Sequence, residues 1–160
     1  MAAFCYRSNA MKCNRLAIEF VPLLAALAIE YQLFDEGERG GLLIDINAES
    51  NTPYIVTVLT VLQYNHADDE EDHKLVDTTC LAVLDQLRRS GLLKKEDIHG
   101  YHLVIELCGK GRYFAEKRFH FLTKWDPSSL LRLGFQGGKL PLHYSGLSIR
   151  QFQVMLDTHF

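Results

Sequence analysis

The stretch from Gly137 to Phe160 constrains the fold more than any other part of the sequence. It begins Gly-Gly-Lys-Leu-Pro-Leu-His-Tyr-Ser-Gly. Two glycines favour a turn, and Pro141 suits the first position of a helix because its φ angle is already helical and its missing N–H would have no intrahelical partner. Apolar residues then recur on one helical face: Ile149, Phe152, Met155 and Leu156. The stretch therefore predicts a turn, a short helix from Pro141, a break and a second helix.

This stretch resembles an ankyrin repeat, whose pattern is a glycine-led turn followed by Thr-Pro-Leu-His and small residues. Three consecutive residues match the pattern, with Leu140 in place of the threonine: Pro141, Leu142 and His143. A second match lies upstream, where residues 45–48 (Asp-Ile-Asn-Ala) resemble the hairpin finger that joins ankyrin repeats, and Thr52 and Pro53 resemble the helix start. The resemblance implies a helix that begins at Pro53, capped by Thr52. It also implies that the ring of His143 braces its turn through a local hydrogen bond.

Most of the remaining chain is predicted to be helical. Pro22 is expected to divide the segment Leu16–Phe34 into two helical pieces, and apolar residues on most sides of this segment predict its burial between layers. The acidic insert His66–Lys74 predicts a solvated loop that ends at a helix N-terminus. Further helices are expected over three ranges: 75–87, 101–108 and 114–125. Arg88, Arg89 and Gly91 are expected to end the first of them, residues 94–97 to form a charged turn, and Pro127 to start one or two further helical turns.

The proposed repeats can be aligned with one another. If the helix near Tyr101 is a degraded copy, His102 takes the place of the proline, and the intervals exceed the ~33-residue ankyrin period because of insertions in loops. We therefore expect an all-α, ankyrin-like solenoid of helical hairpins with about three to four irregular repeats over residues 15–160, truncated at its C-terminus. Residues 1–14 are expected to form a loosely held tail. A different helical repeat or an irregular bundle is the alternative.

Composition and charge are those of an ordinary globular protein. The net charge of −3 gives no reason to expect nucleic acid or membrane as a partner. The segment Leu16–Phe34 follows basic residues and imitates a signal peptide, but Glu19 and Pro22 are poor choices inside such a core. Because Cys80 and Cys108 lie on apolar helical faces, we expect free thiols in a reducing compartment, cytoplasmic or otherwise intracellular.

Seven histidines raise the question of metal binding or catalysis. No pair of histidines combines with cysteines at zinc-ligand spacing, and no nucleophile, base and orienting group can be identified together. The sequence therefore predicts no catalytic residues, no metal and no cofactor. A helical enzyme is kept as an alternative, in which a deep pocket would converge on His99, His102 and Cys108.

The stretch Lys110–Phe121 interleaves basic and aromatic residues, as in proteins that stack on nucleic-acid bases. A nucleic-acid-binding helical module is thus another alternative. The preferred interpretation places the aromatic residues inside and the basic residues in solvent. The inward set is Phe114, Phe119 and Leu122, and the solvated set is Lys110, Lys117 and Arg118.

The leading prediction is a scaffold that binds another protein, without catalysis. Stacked helix pairs form a stiff surface, so a partner is held without the cost of ordering that surface. By resemblance, ankyrin proteins bind partners through the finger tips and the exposed side of the first helices. In this sequence those positions are Asp45, Glu49, Asn51, Phe135, Gln136 and Tyr144. Neither nucleic acid nor membrane is expected as the partner.

Overall fold

A computed structural model of the chain describes residues 15–46, 55–64, 69–109, 113–133, 138–144, 153–154 and 157. The regular elements within these ranges are helices, and no strand occurs among them. The all-α prediction is therefore confirmed for the described part of the chain. The α-helices are α1 (Arg15–Ile18), α2 (Val21–Glu30), α3 (Val58–Val61), α4 (Glu70–Arg89), α5 (Lys95–Gly100), α6 (Leu103–Gly109), α7 (Glu116–Trp125) and α8 (Pro141–Tyr144), with 3₁₀ turns at Glu36–Glu38 and Pro127–Leu131.

The first two helices are divided at the proline, as the sequence predicts. Pro22 is the second residue of α2, where its missing N–H breaks no intrahelical hydrogen bond. The helix ends earlier than Phe34, because Gln32 adopts a left-handed φ of 52° and the N–H of Leu33 bonds back to the carbonyl of Ala28 at 2.9 Å. This pattern is a helix-terminating Schellman motif.

Helix α3 corrects the prediction that a helix begins at Pro53. Residues 55–57 are not helical, and the helix begins at Val58. Thr57 caps α3, because its hydroxyl accepts the N–H of Thr60 at 3.3 Å and the hydroxyl of Thr60 accepts the N–H of Thr57 at 2.8 Å. This reciprocal capping box satisfies two backbone donors that have no partner within the helix. Thr52 and Pro53 themselves lie outside the described residues.

Helix α4 begins inside the acidic insert rather than after it. The side chain of Asp69 accepts the N–H of Asp72 at 2.7 Å and caps the helix. Three carboxylates therefore lie in the first turn, near the positive end of the helix dipole: Glu70, Glu71 and Asp72. The end of α4 agrees with the prediction, since Arg88 and Arg89 occupy the last turn and Gly91 has a left-handed φ of 74°.

The chain between α4 and α6 contains a helix that the sequence analysis interpreted as a charged turn. Asp97 accepts the N–H of Lys94 at 2.7 Å and thereby starts α5. His102 separates α5 from α6 and has a φ of 51°, a conformation that proline cannot adopt. The alignment of His102 with the proline of a repeat is therefore wrong at this position.

The C-terminal described elements begin where the sequence predicts. The 3₁₀ turn after α7 starts at Pro127, and α8 starts at Pro141. The N–H of Leu140 donates a hydrogen bond to Nδ1 of His143 at 3.1 Å, and the N–H of His143 donates to the carbonyl of Leu140 at 2.8 Å. The brace expected of the His143 ring is thus present in the turn that starts α8.

The packing is organised by α4 and α6. Helix α4 contacts α1, α2 and α7, whereas α6 contacts α3, α5, α7 and α8. The core between them is made of aliphatic and aromatic side chains. Its most deeply buried members are Leu59, Leu84, Leu87, Leu103, Phe119 and Leu122.

A buried ion pair joins α4 to α7. Nε of Arg118 donates to Oδ1 of Asp77 at 2.8 Å, and Nη1 of Arg118 donates to the carbonyl of Leu62. Asp77 also accepts the backbone N–H of Lys117 at 3.0 Å and that of Arg118 at 3.3 Å, so it binds the first turn of α7. The prediction that Arg118 is solvated is wrong, because its side chain is fully buried. Its Nε and Nη1 find acceptors in the core, whereas Nη2 has no hydrogen-bond partner among the described residues.

We expect Asp77→Asn to lower the free energy of unfolding by about 3–5 kcal/mol, because it leaves the charge of Arg118 buried without an anionic partner. Urea unfolding followed by circular dichroism measures this loss. The matched control is Asp85→Asn on the same helix, which breaks an exposed pair with Arg89 and should cost less than about 1 kcal/mol. Equal losses in the two variants would contradict the role given to Asp77.

We expect Gly40→Ala to destabilise the protein by about 2–4 kcal/mol, because Gly40 has a left-handed φ of 67° and an added Cβ would lie 2.2 Å from the carbonyl oxygen of Ala25 in α2. Gly37→Ala is the control, since a Cβ there meets no atom within 4 Å. Gly37→Ala should change stability by less than about 0.5 kcal/mol. Thermal melts of both variants make the comparison.

Candidate functional site

Asp45 is the predicted partner-binding residue whose side chain the structure describes. Its Oδ1 accepts the N–H of Val56 at 3.1 Å, and the N–H of Ile46 donates to the carbonyl of Val56 at 2.8 Å. Asp45 is half-buried. Because its side chain binds the backbone of Val56, it holds together the two ends of the segment that contains Glu49 and Asn51. Four predicted residues lie outside the described ranges: Glu49, Asn51, Phe135 and Gln136.

Tyr144 is described in its backbone, as the last residue of α8. It therefore lies in the short helix that the sequence predicts from Pro141. Partner binding by Tyr144 and by the other five residues remains a prediction.

Two of the three residues considered for catalysis meet at a shallow cleft. The rings of His99 and His102 pack edge to face, with their centroids 6.0 Å apart. Nδ1 of His99 is buried and has no hydrogen-bond partner among the described residues. The cleft is lined by Ile98, His99, His102, Val104, Ile105, Ser129 and Arg132.

Burial shifts the pKa values of two of these groups, His102 and Cys108. Burial, with a smaller contribution from the neighbouring His99, lowers the pKa of His102, so its ring is neutral near neutral pH. Burial raises the pKa of the Cys108 thiol to about 12. The thiolate is the reactive form of cysteine, so Cys108 is an inert core thiol, and it does not line the cleft. Among the described residues, Cys108 therefore does not join His99 and His102 at this cleft.

Histidine also has a structural role at the start of α7. Nε2 of His73 lies 2.8 Å from the carbonyl oxygen of Phe114, and its ring stacks on Tyr113 with centroids 5.2 Å apart. These contacts join α4 to the chain that leads into α7. Within the described ranges, no group of three or more histidine, cysteine, aspartate or glutamate residues is arranged to hold a metal ion.

The basic and aromatic stretch Lys110–Phe121 contributes mainly to the interior in its described part. The rings of Phe114 and Phe119 are 5.0 Å apart, and Phe119 is fully buried. Nζ of Lys117 is exposed and donates to the hydroxyl of Thr78 at 2.8 Å. The expected inward set, Phe114, Phe119 and Leu122, lies in the core or packs against it. With Arg118 also buried, this part of the stretch does not form a continuous basic surface.

Helix α2 carries an outward row of large apolar side chains, which we call the outer stripe. Its members recur at spacings of three and four residues and so share one helical face. Their exposed fractions are 55% for Phe20, 53% for Leu23, 43% for Leu24, 37% for Leu27 and 68% for Tyr31. On the other side of the helix the smaller side chains of Val21, Ala25 and Ala28 are buried, whereas Ile29 is 46% exposed.

The prediction that Leu16–Phe34 is buried on most sides is therefore wrong for α2. That prediction followed from the number of apolar residues and took no account of the size of their side chains. Ala25 and Ala28, three residues apart, were the signal that the inward face is the small one, since small side chains let a neighbouring segment approach closely. The large side chains of α2 therefore lie on its solvent-facing side.

Among the helices that the structure describes, none has the length and apolar character needed to cross a bilayer. Comparison with known proteins gave no relative: no protein-family profile, curated protein or solved structure matches the chain.

We expect acid to destabilise the folded protein through His102. Because the pKa of His102 is lowered on folding, the unfolded chain binds the proton more readily, and stability is lost as the pH falls through the ordinary histidine value of 6.5. His102→Asn should reduce this loss between about pH 7 and pH 5, while asparagine still tolerates the left-handed φ. Urea unfolding of both proteins across this range makes the measurement. Parallel pH profiles of the two proteins would contradict the assignment.

Proposed function

We propose that this protein is a non-catalytic scaffold that binds another protein through stacked helical hairpins of the ankyrin type. The observation that carries the proposal is the order in which the helices contact one another. Helices α3 and α8 both contact α6, which makes one row of short helices, and α4 contacts α7 in a second row. A contact between α6 and α7 joins the rows.

This order is what a solenoid requires. Successive hairpins in such an array stack so that first helices contact first helices and second helices contact second helices. If α3 and α6 are first helices and α4 and α7 are second helices, the contacts α3–α6 and α4–α7 fit that rule, and α8 would continue the first row. Val154 lies in the core cluster within the next helical residues, as a second helix after α8 would.

Two local features also favour the ankyrin type. The turn before α8 has the histidine brace that the repeat pattern implies, between Leu140 and His143. The backbone pairing of Ile46 with Val56 brings together the ends of a segment that precedes α3, where a finger would leave the stack. Helix α5 is an additional element, of the kind that repeat arrays accommodate between their repeats.

A stiff stack suits binding rather than chemistry. Its exposed residues can change without disturbing the core, and little conformational entropy is lost when a partner binds. We propose that the partner contacts the finger tips and the first helices. These positions are Asp45, Glu49, Asn51, Phe135, Gln136 and Tyr144. Burial of the Cys108 thiol and neutrality of His102 support a role without catalysis.

We expect the double variant Phe135→Ala and Tyr144→Ala to lose its protein partner, because aromatic side chains are the usual anchors of an interface. Affinity purification from the source cells, quantified by mass spectrometry, should show at least about a tenfold loss of the partner relative to the unaltered protein. Leu75→Ala, at an exposed apolar position on α4, is the matched control and should retain the partner.

Unchanged recovery in the double variant would reject the assigned surface. Nuclease treatment of the lysate separates the alternatives, since a partner that is lost with the nucleic acid would favour a nucleic-acid-binding module. Circular dichroism of each variant verifies that the helices remain folded.

A further inference from the structure

The outer stripe of α2 is a second surface, separate from the residues assigned to the scaffold. Its five large side chains form a continuous row on one helical face, whereas Val21, Ala25 and Ala28 are buried and the helix packs on α4. Large exposed apolar patches on soluble proteins usually mark interaction sites, because their exposure favours association. This inference does not depend on the ankyrin assignment.

The stripe is held in place by its surroundings. Gly40 approaches the backbone of Ala25 so closely that no side chain would fit between them. Arg39 beside it bonds to the carboxylate of Asp97 and to the carbonyl of Leu92, which fixes the loop after α2 to the start of α5. A partner therefore meets a preformed surface and does not have to order it.

The shape of the stripe fits a helix. Helix α2 has 10 residues and hence about three turns, with a length of ~15 Å. Anchors at i, i+3, i+4 and i+7 are the arrangement by which two helices pack apolar faces. The row Phe20, Leu23, Leu24 and Leu27 has this spacing.

The charge around the stripe selects among possible occupants. The segment from residue 19 to residue 38 contains no lysine, arginine or histidine, and its carboxylates are Glu19, Glu30, Asp35, Glu36 and Glu38. Helices that lie on membranes carry basic residues, so these carboxylates disfavour an anionic lipid surface. A second copy of α2 would bring like charges together across a symmetric contact.

We propose that the outer stripe binds an amphipathic helix of a partner protein whose apolar face is bordered by lysine and arginine residues. The apolar face of that helix covers Leu23, Leu24 and Leu27. The basic border faces the carboxylates that flank α2, including Glu19 and Glu30. Electrostatic complementarity of this kind raises the association rate and excludes partners with acidic borders.

The test measures binding of labelled synthetic helices of about 18 residues to the full chain by fluorescence anisotropy. One peptide has leucines at helical spacing bordered by lysines, and its matched control has glutamates in place of the lysines. We expect saturable binding of the basic peptide, at least about tenfold tighter than that of the acidic one, and weaker binding as salt is raised. Equal affinities for the two peptides, or binding of neither, would overturn the proposal.

Variants locate the binding on the stripe. Leu23→Gln with Leu24→Gln should weaken the basic peptide by about tenfold, whereas Leu131→Gln with Leu133→Gln, which are also exposed leucines, should leave its affinity unchanged. Retained melting temperatures show that neither pair unfolds the protein. An unchanged affinity in the stripe variant would contradict the assignment.

Three other outcomes would contradict the proposed helical partner and assign the outer stripe to a different binding partner. Sedimentation that shows a dimer dependent on Leu23 and Leu24 would assign the stripe to a second copy of the chain. Stripe-dependent binding to phosphatidylserine vesicles, without binding of the basic peptide, would assign it to a lipid surface. Peptide binding that begins only after removal of residues 1–14 would assign it to the chain's own N-terminal segment. Because these tests use residues other than Phe135 and Tyr144, their failure leaves the scaffold proposal to its own experiment.

Discussion

The ion pair between Asp77 and Arg118 is the interaction on which the rest of the packing depends. Asp77 belongs to α4 and binds both the guanidinium of Arg118 and the first backbone N–H donors of α7. Arg118 in turn donates to the carbonyl of Leu62, the residue that follows α3. One buried carboxylate therefore sets the position of three elements. Since a buried charge is tolerated only with close partners, any other arrangement of α4 and α7 is costly.

Large and small apolar side chains are distributed differently in the core between α4 and α7 and at α2. Between α4 and α7, large side chains such as Phe119 and Leu122 fill the core around the ion pair. At α2 the order is reversed, because alanines face inward and leucines face solvent. The first arrangement gives a rigid framework, and the second leaves apolar area available for a partner. Burial lowers the pKa of His102 and raises that of the Cys108 thiol, and Cys108 belongs to the core cluster.

Much of the helical content could be predicted from local sequence, but the candidate sites could not. The division at Pro22 and the starts at Pro127 and Pro141 followed from the geometry of proline, and the end of α4 followed from Gly91. The resemblance placed the start of this helix at Pro53, whereas the reciprocal hydrogen bonds of Thr57 and Thr60 cap a helix that begins at Val58. Helix α5 was not predicted, because its charged residues also suit a turn. In the structure Asp97 accepts the N–H of Lys94 and so starts a helix.

The sequence by itself determined which segments are helical and where most of them begin and end, because caps, prolines and glycines act on neighbouring backbone groups. Tertiary structure alone decided that Arg118 is buried and that Leu23 and Leu24 are exposed. The physical reason is that burial depends on partners distant in the chain. Asp77 lies 41 residues before Arg118, and the close approach of Gly40 to Ala25 turns the large side chains of α2 outward.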